Sequence, residues 1–479
     1  MRDYILLFIN GKEHKVSSIY AKQNLSEYLR DTLGMKGTKI VCSEGDCGAC
    51  TVLVHRFIEK NKKTFSSINS CIAPLHVLDC CHIITVEGIE STNSIHPVQE
   101  AMAKHHGTQC GFCTPGIVNA LVSMSDDLIA ANKKIDMKKV KNYTTGNLCR
   151  CTGYKGIVKA GMSLDLNEIK PLFERYDSKE IQEKFEIAFK DEVILDDIHK
   201  QISIVLPKTI KKAIDLKIQG YSLISGGTDI SVFVNKGYNK TKKFVSLINV
   251  DAFYEIENND EFISFASGVT LTNVENACEE YFEEFANSLK VFASPQIKNK
   301  GTLIGNIANG SPIGDSIPFL YVSDASLELV SANGKRDILI PDFYLGYKQF
   351  ALKEDEIITK VKIPKKDKEF KIYKVSARKD LDISAVSLAI GYKIEDEKII
   401  DISIAYGGVA ATVYKAKDLE KTLLNKEIKE EYFKEAISLI PDLLTPFSDH
   451  RGSSEFRIKL CQNLLMKFYS EISLQREVA

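Results

Sequence analysis

The 479-residue sequence predicts a multidomain α+β protein. Three observations carry that expectation. The chain is too long for one hydrophobic core. Its first 90 residues alternate as strands do, whereas residues 91–164 follow a helical period. Beyond about residue 200, helix and strand signals mix, with glycine-rich turns at 225–227 and 301–314. Residues 165–200 are charge-rich with weak periodicity and read as a helical or irregular linker. The expected domains are therefore 1–90, 91–164, the linker 165–200, 201–366 and 367–479, with the last break just after Pro364.

In the first domain, Tyr4–Ile9 alternates into a turn at Asn10-Gly11 and, with His14–Val16, suggests a hairpin. Asn24 is placed to cap a helix through Leu25, Leu29 and Leu33 that Gly34 stops. Thr51–His55 and Ile83–Val86 read as further strands. In the second domain, Pro97 suits a first helical turn and Gly107 a helix end. Thr114-Pro115 opens a helix with Ile117, Leu121 and Met124 on one face, and another runs from Tyr154 past Val158. After Pro364, Ser387–Tyr392 and Ile399–Tyr406 read as strands ahead of a helical C-terminus.

Hydrophobic content of 44% with 27% charge is ordinary for a soluble globular protein. A formal net charge of -1 offers no basis for binding nucleic acid or an anionic membrane. No apolar run approaches the ~18 residues of a membrane span. The expectation is a cytoplasmic protein, in which clustered cysteines hold metal rather than form disulfides.

Eight of the twelve cysteines fall into two tight groups. Cys42, Cys47 and Cys50, in CSEGDCGAC, are followed by Cys71, and C-x4-C-x2-C with a later fourth cysteine is the plant-type [2Fe–2S] spacing. Gly45 and Gly48 let the backbone curl close to the sulfurs and aim N–H groups at them. The second group is Cys110 and Cys113, in QCGFC, with Cys149 and Cys151, in NLCRC. Adjacent-but-one thiolates strain a tetrahedral mononuclear site, whereas two irons, each gripped by one short pair, fit. Cys113 directly precedes the Thr114-Pro115 helix start, a position that favours thiolate. Zinc or buried structural thiols are the other reading of both groups. Cys80, Cys81, Cys278 and Cys461 have no spaced partners and read as buried thiols. His105-His106 reads as a solvated helix end.

EGDCGACTV, QCGFCTPG and GNLCRCTGY together resemble the iron–sulfur signatures of the molybdenum hydroxylases, the xanthine oxidase family. The resemblance implies a β-grasp ferredoxin-like first domain, a four-helix second domain and two [2Fe–2S] clusters.

Further on, LISGGTDIS (Leu223–Ser231) is a Gly-Gly turn between apolar runs that can present several N–H groups to a pyrophosphate. An ordinary strand–turn–helix explains it equally. The stretch Phe292–Pro318 is rich in small residues that permit close backbone approach to a flat ligand. The two stretches resemble the same family's FAD-binding domain, of the vanillyl-alcohol-oxidase or PCMH type. By that resemblance Leu223, Ile224, Ser225, Gly226, Gly227, Thr228, Asp229, Ile230 and Ser231 cradle the diphosphate. Phe292 lies near the isoalloxazine, Asn306 and Asp315 contact the FAD, and Thr302, Gly305 and Ser311 are further candidates. KVSARKDLDIS (Lys374–Ser384) resembles the family's mobile loop beside the flavin, with Lys374 near the ring and Asp382 at an acidic position; a solvated charged loop is the other reading. SDHRGSSEFR (Ser448–Arg457) resembles the family's α+β CO dehydrogenase flavoprotein-like C-terminal domain.

Nothing in the sequence would hold a molybdopterin. The resemblance therefore implies an electron-transfer subunit, with substrate oxidised on a molybdopterin-binding large subunit, in a heterotetramer of two small and two large chains. Gln109 and Cys151 would face the partner's pterin. Electrons would pass through the second cluster, the first cluster and FAD to NAD. Within that resemblance, iron–sulfur and FAD parts fused in this order imply xanthine or hypoxanthine as substrate. The alternatives are a subunit serving aldehydes or N-heterocycles, a stand-alone NADH-linked iron–sulfur flavoprotein reductase, and a zinc-stapled interaction protein.

Overall fold

The computed structural model describes residues 1–90 and 95–478, so the expected boundary at residue 91 lies at the edge of residues outside the description. The chain folds as two units, one of Met1–Tyr254 with Ser294–Thr302, the other of Glu255–Ala293 with Leu303–Ala479.

The first unit opens with a mixed five-stranded sheet. Strands β1 (Tyr4–Ile9) and β2 (Lys12–Ser17) form the expected hairpin, and Asn10 and Gly11 turn it with φ of 49° and 80°. Two successive positive φ values are what Asn-Gly supplies at least cost. Strands β3 (Thr51–Arg56), β4 (Ser66–Asn69) and β5 (Cys81–Ile84) complete the order β2-β1-β5-β3-β4, with β1 and β5 parallel. That is a β-grasp sheet. β4 has no alternating apolar signal, and Val86 belongs to a 3₁₀ turn at Val86–Gly88 rather than to a strand. Asn24 forms a capping box with Glu27, but the helix it starts widens into a π turn over Tyr28–Thr32.

Four helices follow among the described residues: α1 (Pro97–Lys104), α2 (Thr114–Ala130), α3 (Met137–Thr144) and α4 (Lys155–Met162). α2 is buried almost all round and packs on β3. The left-handed residue after α1 is His106 rather than Gly107.

The expected linker at 165–200 is partly helical, as one of its two readings allowed, and is packed into the first unit. Helix α5 (Lys179–Phe189) lays Ile181, Phe185, Ala188 and Phe189 over Leu6 and Phe8, which explains why β1 is apolar on both faces. Its apolar stripe is concealed in sequence by the six charged or polar residues interleaved with it. The chain continues into β6 (Val193–Asp197), whose Ile194 amide donates to the Arg2 carbonyl at 2.9 Å. β6 joins β7 (Ile202–Leu206), β8 (Ser222–Ile224) and β9 (Lys243–Ser246) in the order β6-β7-β9-β8. The break between units falls after Tyr254, inside the expected 201–366 domain.

The second unit has a five-stranded antiparallel sheet in the order Ile256–Asn258, Phe262–Ala266, Ile357–Pro364, Ser326–Ser331, Gly334–Leu339. Helices Glu283–Phe292 and Ser316–Val322 meet through Phe285 stacked on Phe319 at 4.1 Å. Strands Glu369–Val375, Val386–Glu395, Lys398–Gly407 and Tyr414–Lys415 form a second sheet, against which helix Ser454–Val478 packs. Among the described residues no helix is long and apolar enough to cross a membrane.

Candidate metal centres and flavin cradle

The pairing of Thr51 with Asn69 across β3 and β4 sets Cys50, just before β3, beside Cys71, in the turn after β4. Cys42 and Cys47 complete the group from the preceding loop. The thiols of Cys47 and Cys71 donate to Cys42, and that of Cys71 also to Cys50, so the four sulfurs form one connected set. Those contacts draw Cys42 and Cys50 below the ordinary thiol range and drive Cys47 and Cys71 above it. Backbone N–H groups of Glu44 and Cys47 point at Cys42, and that of Ala49 at Cys47. Such donors disperse the negative charge of a thiolate set.

In the second group, Cys110 and Cys151 are exposed with their sulfurs 3.5 Å apart, and Cys113 contacts Cys149. The recorded sulfur contacts thus run across the two loops rather than within each short pair. Cys113 is tied into the first turn of α2, where Ile117 N donates to its carbonyl at 3.1 Å, while Cys110 lies beyond the Gly111 turn. Burial, then the Cys149 contact, pushes the Cys113 thiol up to about 12, which outweighs the helix start. Burial opposes ionisation of Cys149 too, but the Thr152 hydroxyl at 3.1 Å and amide at 3.5 Å bring it below its ordinary value. Gln109 is exposed, as are Phe112, Leu148 and Tyr154 around this edge. Among the described residues no group of His, Cys, Asp or Glu side chains is arranged around a single metal ion. The eight thiols meet sulfur to sulfur instead.

The two loops are bonded to each other. Leu148 N donates to the Cys47 carbonyl at 2.9 Å, and Asn147 Nδ2 donates to the Gly48 carbonyl at 2.9 Å. Gly48 has φ of 68°, and a Cβ there would sit 2.2 Å from the Gly146 carbonyl oxygen. Only glycine permits that approach.

The flavin-candidate loop leaves β8 at Leu223 and Ile224, turns through Ser225, Gly226, Gly227 and Thr228, and enters a short helix, Ile230–Asn235, after Asp229. A Cβ on Gly226 would lie 2.1 Å from the Lys300 carbonyl oxygen. Ser231 Oγ is buried and has no hydrogen-bond partner, an orphaned polar atom of the kind a bound ligand satisfies. The loop's helix is fastened to the first thiol group, with Asn235 Nδ2 donating to the carbonyls of Ser43 at 2.8 Å and Cys71 at 2.9 Å. Val232, Ile297 and Cys42 pack on the buried cluster of Cys50, Cys71 and Ile72. Segment Ser294–Thr302 adds Gln296, donating to Asn147 at 2.9 Å, and the buried Lys300, donating to the Ile72 carbonyl at 3.0 Å. Burial pushes the Lys300 ammonium down to about 7. Asn147, Asn235, Gln296 and Lys300 escaped sequence reasoning. Only Asn147 carried a signal, its place two residues before Cys149.

Thr302 lies buried in the first unit; the remaining candidates belong to the second. There Lys374 Nζ pairs with Asp315 at 2.7 Å and donates to the Asp382 carbonyl at 2.7 Å. Ser384 Oγ donates to the other Asp315 oxygen at 2.6 Å. The Asp382 carboxylate instead accepts from the amides of Arg378 at 2.8 Å and Ile383 at 3.0 Å. Those amides hold its pKa below the usual carboxylate value. Asn306 Oδ1 accepts from Ser316 at 2.6 Å, and Ile313 N donates to Ser311 Oγ at 3.4 Å. Gly305 is exposed and Phe292 half-buried against the unit's core.

Two four-thiol groups, the first fastened to a glycine-rich loop that holds an unsatisfied polar atom, have the donor chemistry of an iron–sulfur protein with a ligand site at that loop. Residues 7–76 match the family described as "2Fe-2S iron-sulfur cluster binding domain" and residues 85–162 "[2Fe-2S] binding domain". Residues 200–366 match "FAD binding domain in molybdopterin dehydrogenase" and residues 371–472 "CO dehydrogenase flavoprotein C-terminal domain". The chain belongs to the molybdenum hydroxylase, or xanthine oxidase, family and carries its two iron–sulfur domains and its FAD domain. It is 30% identical to the xanthine dehydrogenase of Oryza sativa subsp. japonica over 99% of this chain and 40% of that protein. It is 28% identical to that of Emericella nidulans, over 99% and 39% respectively. The chain thus spans about 40% of the length of these curated relatives. Its fold is similar to a carbon monoxide dehydrogenase from Hydrogenophaga pseudoflava that lacks the Mo-pyranopterin moiety of its cofactor, with a TM-score of 0.53 and 20% identity over 55% of this chain and 94% of that one. Quinoline 2-oxidoreductase from Pseudomonas putida 86 gives 0.52 and 22% over 56% and 94%.

Proposed function

We propose that this chain is the electron-transfer subunit of a cytoplasmic xanthine dehydrogenase, working beside a molybdopterin-binding large subunit in a heterotetramer. Cys42, Cys47, Cys50 and Cys71 hold one [2Fe–2S] cluster, and Cys110, Cys113, Cys149 and Cys151 the other. Bound there, the clusters carry single electrons, and FAD on Leu223–Ser231 converts them to the two-electron reduction of NAD.

The observation that carries this reading is the serial hydrogen bonding of the three sites within one unit. The second thiol group reaches the first through Leu148 and Cys47, and the first reaches the flavin loop through Cys71 and Asn235. The exposed sulfurs of Cys110 and Cys151, with Gln109 beside them, support entry of electrons from a molybdopterin centre at that edge. The chain's own residues position and insulate: backbone N–H groups face the sulfurs, and Val232 and Ile297 keep water from the first group. Xanthine or hypoxanthine as substrate rests on the names of the relatives.

Turnover of the purified complex tests the reading. Cys113→Ser should abolish xanthine-dependent NAD reduction while NADH still reduces the flavin. Undiminished xanthine turnover in that variant refutes the route, and turnover of aldehydes or N-heterocycles in place of xanthine refutes the substrate.

A further inference from the structure

Lys300 is 2% exposed, and its ammonium has one recorded partner, the Ile72 carbonyl at 3.0 Å. No carboxylate pairs with it among the described residues. A buried cation lacking an anionic partner is costly enough that proteins rarely keep one. The anion-forming groups whose charge acts on it are the thiols of Cys71 and Cys81, while the buried Arg56 adds an opposing positive charge. Of the two, only Cys71 belongs to a four-sulfur group, and Lys300 reaches it through the carbonyl of the next residue, Ile72. On its other side the Lys300 carbonyl lies against Gly226 of the flavin loop.

We propose that Lys300 is the counter-cation of the Cys42, Cys47, Cys50 and Cys71 centre and sets that centre's reduction potential. The inference rests on these cysteines holding a [2Fe–2S] cluster. Four thiolates make such a cluster a dianion that becomes a trianion on taking one electron. An ammonium that the cluster's own negative charge keeps protonated, in a water-poor surrounding, stabilises the reduced form more than the oxidised one. Lys300 thereby raises the potential of the cluster next to the flavin, and its backbone keeps the loop that carries the flavin close. It is a positioning and tuning residue: it binds neither iron nor substrate.

The test is an EPR-monitored redox titration of the full chain in wild type, Lys300→Met, Lys300→Gln and Lys300→Arg, with iron and FAD content measured for each. The signal belonging to this centre is the one that Cys50→Ala removes. The two neutral variants should shift its midpoint to more negative potential and leave the other cluster's midpoint in place, while Lys300→Arg stays near wild type. Unmoved midpoints in both neutral variants overturn the proposal, as does a shift in Lys300→Arg equal to theirs. If the neutral variants lose this cluster and Lys300→Arg keeps it, the need for a cation is upheld at assembly. If all three lose it, Lys300 serves only the fold. Wild-type protein that binds no iron sinks the cluster reading itself, whereas full iron with unmoved midpoints sinks this inference alone.

Discussion

The amide of Leu148 donates to the carbonyl of Cys47 at 2.9 Å, so the neighbour of Cys149 in the second thiol group is bonded directly to a member of the first. One peptide and one hydrogen bond separate the two thiol sets. On the far side, Asn235 repeats the device by binding the Cys71 carbonyl at 2.9 Å from the helix that follows the flavin loop. The sites are thus fixed by backbone groups, whose positions depend on the fold rather than on side-chain rotamers.

Gly48→Ala should damage both thiol groups together. Its φ of 68° and the 2.2 Å approach to the Gly146 carbonyl leave no room for a methyl group. The left-handed conformation alone costs about 1–2 kcal/mol for a residue with a Cβ. Iron content per chain and the thermal midpoint should both fall, and a variant with wild-type values of both would contradict the packing of the two loops.

Gly226→Ala acts on the flavin side alone. The new Cβ would lie 2.1 Å from the Lys300 carbonyl oxygen, which is backbone and cannot swing aside. The flavin-to-protein ratio should drop several-fold while iron stays at about four per chain. Wild-type flavin retention would show that this loop does not hold FAD.

In the second unit, Lys374→Met breaks the pair with Asp315 and leaves that carboxylate, with a side chain 12% exposed, bonded only to Ser384. Loss of one partner of a largely buried charge-assisted bond should cost about 1–3 kcal/mol. Urea denaturation monitored through the tyrosines reads that loss. A midpoint unchanged from wild type would mean that the pair contributes nothing.

A pH dependence follows from Asp126 in α2. Burial raises its carboxyl to about 7, although the Leu172 amide, donating at 3.1 Å, works against that shift. Folding therefore favours its protonated form. The stability from this group is full below its unfolded pKa of about 4 and is lost as pH rises through 7, at up to about 1.4 kcal/mol per unit. Asp126→Asn should match wild type near pH 4 and exceed it at pH 8. An advantage independent of pH would contradict the assignment.

How much of this was legible depended on distance along the chain. The cysteine spacings and the β1–β2 hairpin are local patterns and could be read directly. β4, at Ser66–Asn69, could not, because its serines and asparagine carry no strand signal and are held by pairing with β3. In the linker a helix could be expected but its packing could not, because Ile181, Phe185 and Phe189 gain meaning only beside Leu6 and Phe8. Gln296 and Lys300 sat within a stretch read for its glycines and small residues. Their partners, Asn147 and Ile72, lie 149 and 228 residues away, beyond any spacing rule.

The central claim is that the eight thiols hold two separate two-iron clusters in line with one flavin. EPR of the anaerobically dithionite-reduced protein, with spin integration alongside chemical iron and flavin analysis, tests it most directly. The account predicts two distinct spin-½ signals of equal weight, about four irons and one FAD per chain. A silent spectrum, a single signal, or zinc in place of iron would contradict it.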